Sequence, residues 1–353
     1  MDCADPRRNV AASQHGPRPL PLFLQMLAAE TASAPDRRAA ALAGLTAYQA
    51  AERPAPPPPL PVVATVGRAS LLAAGGSGPP VAFVPSLINP SAILDLDEER
   101  SLVRWAASRG LAAYLVDWGT PDGQERELDV GGHVERYLLP LLAGLDRPPV
   151  VVGYCLGGTM AMAAAARVAI AGLATVAAPW RFAGYGQAAR ATMTELWVAA
   201  EPACRTLGLV PTEVLQAGFW RLDPARTIAK YEGFARLEPG SPEARAFVRL
   251  EDWANAGAPL TYAAGRQLFE RFVGADDPGE ERWTVDGARV TPAALGCPAI
   301  EFVSTGDRIV PAATAAGLPN AHALGAGHVG MVVGGARERL RGALADWLDR
   351  VTG

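Results

Sequence analysis

The apolar and polar positions divide the chain into a short N-terminal part and a longer part that alternates strands with helices. Residues 22–50 are rich in Ala, Leu and Arg, with apolar residues at spacings of three and four, which predicts one or two helices. Residues 53–61 contain six prolines and predict a stiff linker, because proline fixes φ and favours an extended chain. We therefore treat residues 1–61 as an N-terminal helical and proline-rich segment that begins with a loose terminus.

After this segment, short apolar runs alternate with amphipathic stretches. Strands that are joined by helices and buried on both faces form parallel sheets. The pattern therefore predicts an α/β fold with a mostly parallel sheet and helices on both faces. The expected strands are 81–84, 112–116, 150–152, 173–177 and 299–304, and the expected helices are 102–108, 133–142 and 337–351.

The alternation breaks down between residues 181 and 290, where aromatic residues and prolines become frequent. Trp220 and Trp253 are examples of this change in composition. Strand and helix resume afterwards, so we predict an inserted helical cap at 181–290. The core then consists of residues 62–180 and 291–353.

One strand ends in a pattern that carries chemistry. The apolar run 150–152 leads into Gly153-Tyr154-Cys155-Leu156-Gly157, and an Ala-rich helix follows. This is the Gly-x-Ser-x-Gly nucleophile elbow with Cys in place of Ser, in the strand, turn and helix context that the pattern requires. A structural cysteine in a tight turn is the alternative. The context favours Cys155 as a nucleophile, because a helix N-terminus stabilises a thiolate.

An elbow of this kind needs an acid and then a histidine later in the chain. His328 lies in a glycine-rich loop before the last predicted helix, and Asp307 follows the predicted strand 299–304. We expect His328 to act as the general base and Asp307 to orient it. The alternatives are a structural histidine and an Asx turn.

The oxyanion hole is expected to combine two backbone N–H groups near the elbow. Leu156 follows the nucleophile directly, and Leu87 lies in the loop after the first core strand. Asp117-Trp118-Gly119 ends the next strand at the same edge of the sheet. This tripeptide predicts either a wall of the pocket or a turn with a packed tryptophan.

The remaining cysteines and histidines show no comparable pattern. The cysteines lie far apart without a C-x-x-C spacing, so we expect neither a zinc site nor a redox motif. The others are Cys3, Cys204 and Cys297, the last two expected as small buried residues, and His15 in the loose terminus, His133 at the start of a surface helix and His322 in a short apolar segment.

Composition excludes several classes of function. Half of the residues are hydrophobic and 19% are charged, which indicates a folded protein. A net charge of −4, without a basic run, argues against a nucleic-acid partner. The longest apolar stretch, 161–178, is interrupted by Arg167 and Gly172, so no transmembrane segment is expected. The N-terminus shows no apolar signal core, which argues against secretion, and the unpaired cysteines favour the cytosol. No phosphate-binding glycine motif follows a predicted strand.

Several strings together resemble the polyhydroxyalkanoate synthases, cysteine acyltransferases on the α/β-hydrolase fold that polymerise 3-hydroxyacyl-CoA. They follow the order of that family over roughly residues 62–350. The short segment before the core is similar to that of the short catalytic subunits, which work with a second small subunit. Phe247, Glu251 and Trp253 in the predicted cap also resemble that short class. The matching strings are Pro85-Ser86-Leu87-Ile88-Asn89, Ile93-Leu94-Asp95-Leu96, Arg100-Ser101-Leu102-Val103-Arg104, Tyr114-Leu115-Val116-Asp117-Trp118-Gly119, the Cys155 elbow with Gly157-Gly158, and Gly327-His328-Val329-Gly330.

The resemblance implies a reaction and its partners. Cys155 would hold an acyl group taken from CoA, His328 would activate the thiol and the accepting hydroxyl, and Asp307 would orient His328. The substrate would be a 3-hydroxyacyl-CoA that itself carries coenzyme A, so that no separate cofactor and no metal is needed. The implied partners are a second synthase subunit, a homodimeric copy and the surface of a polyester granule in the cytoplasm.

One position departs from the family and leaves other functions open. Arg308 stands where the family usually has a second histidine directly after the aspartate, which weakens the expectation of efficient polymerisation. A Cys-dependent thioesterase or esterase, in which water resolves the acyl-enzyme, is the main alternative. A non-catalytic interaction or granule-coat protein on the same scaffold is another, against which the intact Cys, Asp and His argue.

Overall fold

A computed structural model describes residues 16–353, which form two compact units. The first unit consists of the described residues up to Ala55 together with Asp223–Asn255. The second consists of Pro56–Leu222 and Ala256–Gly353. Part of the stretch predicted as a cap therefore shares a unit with the N-terminal helices.

Helices and strands occupy most of the positions that the sequence pattern indicates. The helices are α1 (Leu20–Glu30), α2 (Pro35–Ala50), α3 (Leu102–Ser108), α4 (Val130–His133), α5 (Leu139–Ala143), α6 (Leu156–Ala165), α7 (Gly186–Leu207), α8 (Thr212–Leu222), α9 (Pro224–Phe234), α10 (Pro242–Asn255), α11 (Tyr262–Arg266) and α12 (Arg337–Thr352). The strands are β1 (Val62–Val66), β2 (Ala69–Gly75), β3 (Pro80–Val84), β4 (Ala112–Asp117), β5 (Val150–Tyr154), β6 (Gly172–Val176), β7 (Leu209–Val210), β8 (Leu260–Thr261), β9 (Thr284–Val285), β10 (Ala288–Arg289), β11 (Ala299–Ser304) and β12 (Ala321–Leu324).

The first unit packs α1, α2, α9 and α10 around a cluster of aromatic rings. Tyr231 meets Phe23 and Tyr48 edge to face, with ring centroids 5.0 and 6.0 Å away, and Phe234 stacks on Phe247 at 4.3 Å. Edge-to-face and offset arrangements are the favourable geometries for such rings. The aromatic residues of this stretch therefore build a core of their own.

Acidic groups at the edge of this core are paired. Tyr48 donates to Asp252 at 2.6 Å, and Tyr231 donates to Glu251 at 3.0 Å. Lys230 forms an ion pair with Glu251, with Nζ 2.8 Å from the carboxylate. A buried carboxylate needs such partners, because an unpaired charge away from water is costly.

The second unit is built on an eight-stranded sheet in the order β1-β2-β4-β3-β5-β6-β11-β12. β2 runs antiparallel to both β1 and β4, and the pairs from β4 through β3, β5, β6 and β11 to β12 are parallel. This order and direction are those of the α/β-hydrolase fold. The predicted fold class is confirmed.

Burial explains why the central strands read as continuous apolar runs. Every residue of β3, β5 and β6 is buried, which requires cover on both faces of the sheet. Helix α6 packs on β5 and β6. The two residues that flank α3 bind α12: Arg109 forms an ion pair of 2.8 Å with Asp349, and Ser101 O accepts a hydrogen bond of 2.9 Å from Arg341.

The connections around β3 determine where a site can form. From β3 the chain continues to β4 on one side of it, and β5 pairs on its other side. At such a switch point the loops that leave the carboxyl ends of the two strands diverge and open a crevice. The loop after β3 and the turn after β5 are those that carry Leu87 and Cys155.

Candidate active site

Cys155 lies in a sharp turn between β5 and α6. Its φ of 55° and ψ of −134° are values that a residue with a side chain rarely adopts. Its N–H donates to Val176 O at 3.0 Å, and the N–H of Gly158 donates to Cys155 O at 2.8 Å. These bonds hold the strained turn that a nucleophile elbow requires.

The glycines of the elbow let the chain pass close to its neighbours. A Cβ on Gly157 would lie 2.2 Å from Val84 O and 2.4 Å from Pro85 O, and one on Gly153 would lie 2.5 Å from the Cα of Gly158. All three distances are to backbone atoms, which cannot move aside cheaply. The start of α6 can therefore pack directly on the loop after β3.

His328 and Asp307 meet beyond the carboxyl ends of β11 and β12. His328 Nδ1 lies 2.6 Å from Asp307 Oδ2, and Nδ1 carries the hydrogen because an ionised carboxylate only accepts. The other oxygen, Oδ1, accepts from the N–H groups of Ile309 at 2.7 Å and Val310 at 2.9 Å. Asp307 thus forms an Asx turn with one oxygen and fixes the tautomer of His328 with the other.

His328 also interacts with Cys155. Burial lowers the pKa of His328, but the charges of Cys155 and Asp307 and the hydrogen bonds to both groups raise it to about 10. Because Nδ1 of His328 donates to Asp307, the hydrogen bond with Cys155 is made by the other ring nitrogen, Nε2.

Two tyrosines that the sequence analysis did not single out adjoin these groups. The ring of Tyr154 lies 5.0 Å from that of His328, and its buried hydroxyl has no hydrogen-bond partner in residues 16–353. Burial, and then the charges of Cys155 and Asp307, raise the pKa of Tyr154 and of Tyr185 well above the usual value. Tyr154 could have been noticed as the residue before the nucleophile. Tyr185 gives no signal in the sequence.

The loop after β3, which contains the second expected oxyanion donor, packs against the elbow through the carbonyl of Pro85. Ser86 Oγ accepts from the N–H of Ile88 at 3.1 Å and so forms a turn around Leu87, which is buried. Leu87 is two residues from Pro85, which packs on Gly157. Leu156 is the first residue of α6, so its N–H has no acceptor within the helix.

The Asp117-Trp118-Gly119 turn is packed against this loop. The indole N–H of Trp118 donates to Pro85 O at 3.0 Å. Asp117 accepts from the hydroxyl of Ser91 at 3.0 Å and from the N–H of Gly119 at 2.8 Å. The turn with a packed tryptophan is therefore confirmed, and a contribution of this turn to the wall of the pocket stays a prediction.

The prediction that His133 begins a surface helix is wrong. His133 is buried at the end of α4, with Nδ1 2.6 Å from Asp129 O and Nε2 2.7 Å from Arg68 Nη2. Arginine can only donate, so Nε2 accepts and the imidazole is neutral. Burial, together with the positive charge of Arg68, lowers the pKa of His133 to about 4. Arg68 is 65 positions away in the chain, so no local sequence pattern predicts this contact.

The other candidates stay outside the site. Cys204 is buried, Cys297 is partly buried, and His322 is half-buried on β12. Cys3 and His15 lie outside the described residues. Within residues 16–353 no group of His, Cys, Asp and Glu is arranged to hold a metal ion. No helix in that range combines the length and apolar character needed to cross a bilayer.

The chain is similar to known proteins both in sequence and in structure. No family model matches it. It is 28% identical over 241 residues to the poly(3-hydroxyalkanoate) polymerase subunit PhaC of Haloarcula marismortui, a match that covers 66% of this chain and 50% of the relative. The PhaC subunit of Allochromatium vinosum is 25% identical over 288 residues, with coverages of 76% and 80%.

The chain spans about half the length of the haloarchaeal relatives that it matches. In structure it is similar to the N-acyl homoserine lactonase AidH, with a TM-score of 0.50 and 15% identity over 83% of this chain and 97% of that one. At this identity the likeness concerns the fold alone. The resemblance that the sequence strings indicated is confirmed: the chain is a homologue of the PhaC subunits of poly(3-hydroxyalkanoate) polymerases, built on the α/β-hydrolase fold.

Proposed function

We propose that this chain is a cysteine acyltransferase of the polyhydroxyalkanoate synthase type. It takes a 3-hydroxyacyl group from CoA onto Cys155 and transfers it to the hydroxyl of a growing polyester. The observation that carries the proposal is the double contact of His328. Its Nδ1 lies 2.6 Å from Asp307, and its other ring nitrogen is hydrogen-bonded to Cys155. The homology to PhaC subunits supports the substrate class.

In the first half-reaction, the Cys155 thiolate attacks the thioester carbonyl of the acyl-CoA. The N–H groups of Leu156 and Leu87 stabilise the negative charge that develops on the carbonyl oxygen. The bond between the acyl carbon and the CoA sulfur breaks, and the proton on His328 goes to the departing sulfur. The result is an acyl thioester on Cys155 and a neutral His328.

In the second half-reaction, His328 accepts the proton of the hydroxyl that ends the growing chain. The oxygen attacks the Cys155 thioester, and the same two N–H groups again face the oxyanion. The bond to sulfur breaks and leaves a thiolate beside a protonated His328, which is the starting state. The polyester has gained one unit.

The remaining expectations are part of the same proposal. The proposed reaction uses no metal and no cofactor apart from the CoA of the substrate. The expected partners are a second synthase subunit, or a second copy of this chain, and a granule surface in the cytoplasm. Each of these follows from the likeness to short PhaC subunits and stands or falls with it.

Hydrolysis is the second candidate, and one observation favours it. Arg308 is exposed next to Asp307, at the position where the family usually has a second histidine. If that histidine assists the accepting hydroxyl in the family, its absence here lets water take the place of the hydroxyl in the second half-reaction. The product would then be a free 3-hydroxy acid.

The deciding experiment incubates the purified chain with 3-hydroxybutyryl-CoA, alone and with a candidate second subunit. We expect CoA release together with polymer, and neither from Cys155→Ala. CoA release with free 3-hydroxybutyrate and no polymer in either mixture would favour the hydrolase. CoA release by Cys155→Ala at the normal rate would exclude a covalent acyl-enzyme at this residue.

A further inference from the structure

Arg68, in the turn between β1 and β2, is bound on every nitrogen of its guanidinium. Nε donates to Glu125 at 2.6 Å, and Nη2 donates to His133 at 2.7 Å. Nη1 donates to the carbonyl oxygens of Trp118 and Gly119, the latter at 3.2 Å. The side chain is only 14% exposed, so water competes little for these bonds.

The partners of Arg68 are themselves fixed. Tyr137 donates to the second oxygen of Glu125, and His133 is held as a neutral acceptor by Asp129 O. A planar guanidinium that is bound to Glu125 through Nε and to His133 through Nη2 has a single orientation. Arg68 therefore determines where the two carbonyl groups of the Trp118 turn can lie.

Trp118 is hydrogen-bonded directly to the loop after β3. Its indole N–H donates to Pro85 O at 3.0 Å. The same carbonyl faces Gly157, where a Cβ would lie 2.4 Å from it. Pro85 is thus held between the indole and the start of α6, and the N–H of Leu87 follows two residues later.

We propose that Arg68 is a positioning residue which, through Trp118, places the N–H of Leu87 in the oxyanion hole. The inference rests on acyl transfer at Cys155 but not on the identity of the acyl group. Negative charge on the carbonyl oxygen develops only towards the transition state. Displacement of the donor should therefore lower kcat and leave KM unchanged.

The test uses Trp118→Phe, which removes the indole N–H and keeps an aromatic ring. Two reactions of Cys155 are compared: CoA release from 3-hydroxybutyryl-CoA, and alkylation by iodoacetamide followed by mass spectrometry of the Cys155 peptide. Alkylation needs the thiolate but forms no oxyanion. We expect kcat for CoA release to fall by about 10- to 100-fold, less than for complete loss of a donor, with KM and the alkylation rate within about twofold. Trp105→Phe, at a half-buried tryptophan of α3, is the matched control.

Other results would overturn the proposal. Unchanged CoA release would show that the indole bond does not place the donor, and an equal fall in alkylation would indicate general damage to the site. p-Nitrophenyl acetate serves as a second acyl donor that requires no recognition of CoA. If it acylates Cys155 while the CoA thioester does not, the proposed substrate is wrong, and Trp118→Phe is judged on p-nitrophenol release instead. If neither acylates Cys155, both proposals fail.

Arg68→Lys tests the first step of the relay, because a lysine cannot supply the same fork of donors. We expect kcat for CoA release to fall as in Trp118→Phe, and the rate of alkylation by iodoacetamide to stay the same. The double variant Arg68→Lys/Trp118→Phe should lose little more than the more impaired single variant, since both changes act along one path. If the fold-losses in kcat of the two single variants multiply in the double variant, Arg68 and Trp118 act independently, which would contradict the proposal.

Discussion

The carboxylate of Asp307 serves two structural purposes with its two oxygens. Oδ1 closes the turn through the N–H groups of Ile309 and Val310, and Oδ2 bonds to His328. An amide of the same shape can still accept in the turn but brings no charge. The contribution of charge can therefore be separated from that of geometry at this residue.

Asp307→Asn should lower kcat for CoA release at least about a hundredfold, because the tautomer and protonation of His328 lose their support. His328→Ala should be more damaging, since it removes the base itself. Steady-state kinetics with 3-hydroxybutyryl-CoA would measure both, with Asp349→Asn as an exposed control. An Asp307→Asn enzyme with normal kcat would show that Asp307 is only a turn residue.

At Cys155, replacement distinguishes loss of the nucleophile from its weakening. Cys155→Ala should reduce CoA release to background while the fold is kept. Cys155→Ser should retain a slow reaction, because a hydroxyl is far less ionised than a thiol beside an imidazolium. CoA release and circular dichroism would be followed together, with Cys297→Ala expected to behave as the natural chain.

Helix α6 can start where it does only because Gly157 has no side chain. Gly157→Ala would set a Cβ 2.2 Å from Val84 O, and we expect a loss of about 1 to 3 kcal/mol in the free energy of unfolding. Gly342→Ala, in the middle of α12 with no heavy atom within 4 Å of the added Cβ, should instead stabilise by about 0.5 to 1 kcal/mol.

Urea denaturation of the two glycine variants would measure both changes. Equal and small effects would mean that the loop after β3 yields to the added methyl group. In that case the close packing of Pro85 on the elbow would not constrain the site.

The elements that the sequence predicts well are those whose signal is local. The helix at Leu102–Ser108 and the strand at Ala299–Ser304 have the predicted bounds, because each is a short periodic or apolar run between turn residues. The elbow is recognisable for the same reason, since its two glycines and its strand lie within a few residues of Cys155. Chain order and loop position predict that His328 pairs with Asp307, and the two side chains lie 2.6 Å apart.

The elements that were missed depend on distant partners. β1 and β2 form a hairpin in which Val62 and Val63 are exposed, so the alternation that marks a half-buried strand is absent. β12 has only four residues and a histidine within it. The burial of His133 depends on Arg68, and no local pattern shows a contact between two such separated positions.

At the scale of the whole molecule, two buried histidines make stability depend on pH in opposite senses. The pKa of His328 is raised from 6.5 to about 10, so the folded state binds more protons between these values, and stability falls as pH rises through that window. The pKa of His133 is lowered to about 4, so stability falls as pH drops from 6.5 towards 4. Stability should therefore be greatest near pH 6.5.

Urea midpoints from pH 4 to pH 10 would measure this dependence in the natural chain, His328→Gln and His133→Gln. His328→Gln should flatten the alkaline limb, and His133→Gln should flatten the acid limb, where Arg68, Glu125 and Arg136 also face the imidazole. An alkaline limb that persists in His328→Gln would assign it to other groups.

The ion pair between Lys230 and Glu251 in the first unit has a practical consequence. Lys230 is the one lysine of the chain, whereas the other basic side chains are arginines. While the pair is closed, its amine is shielded by a carboxylate at 2.8 Å and is a poor nucleophile. An acylating reagent such as an N-hydroxysuccinimide ester would modify this amine at a rate set by local opening. The mass shift of the peptide that contains Lys230 would thus measure how often the contact between α9 and α10 opens, independently of the thiol chemistry.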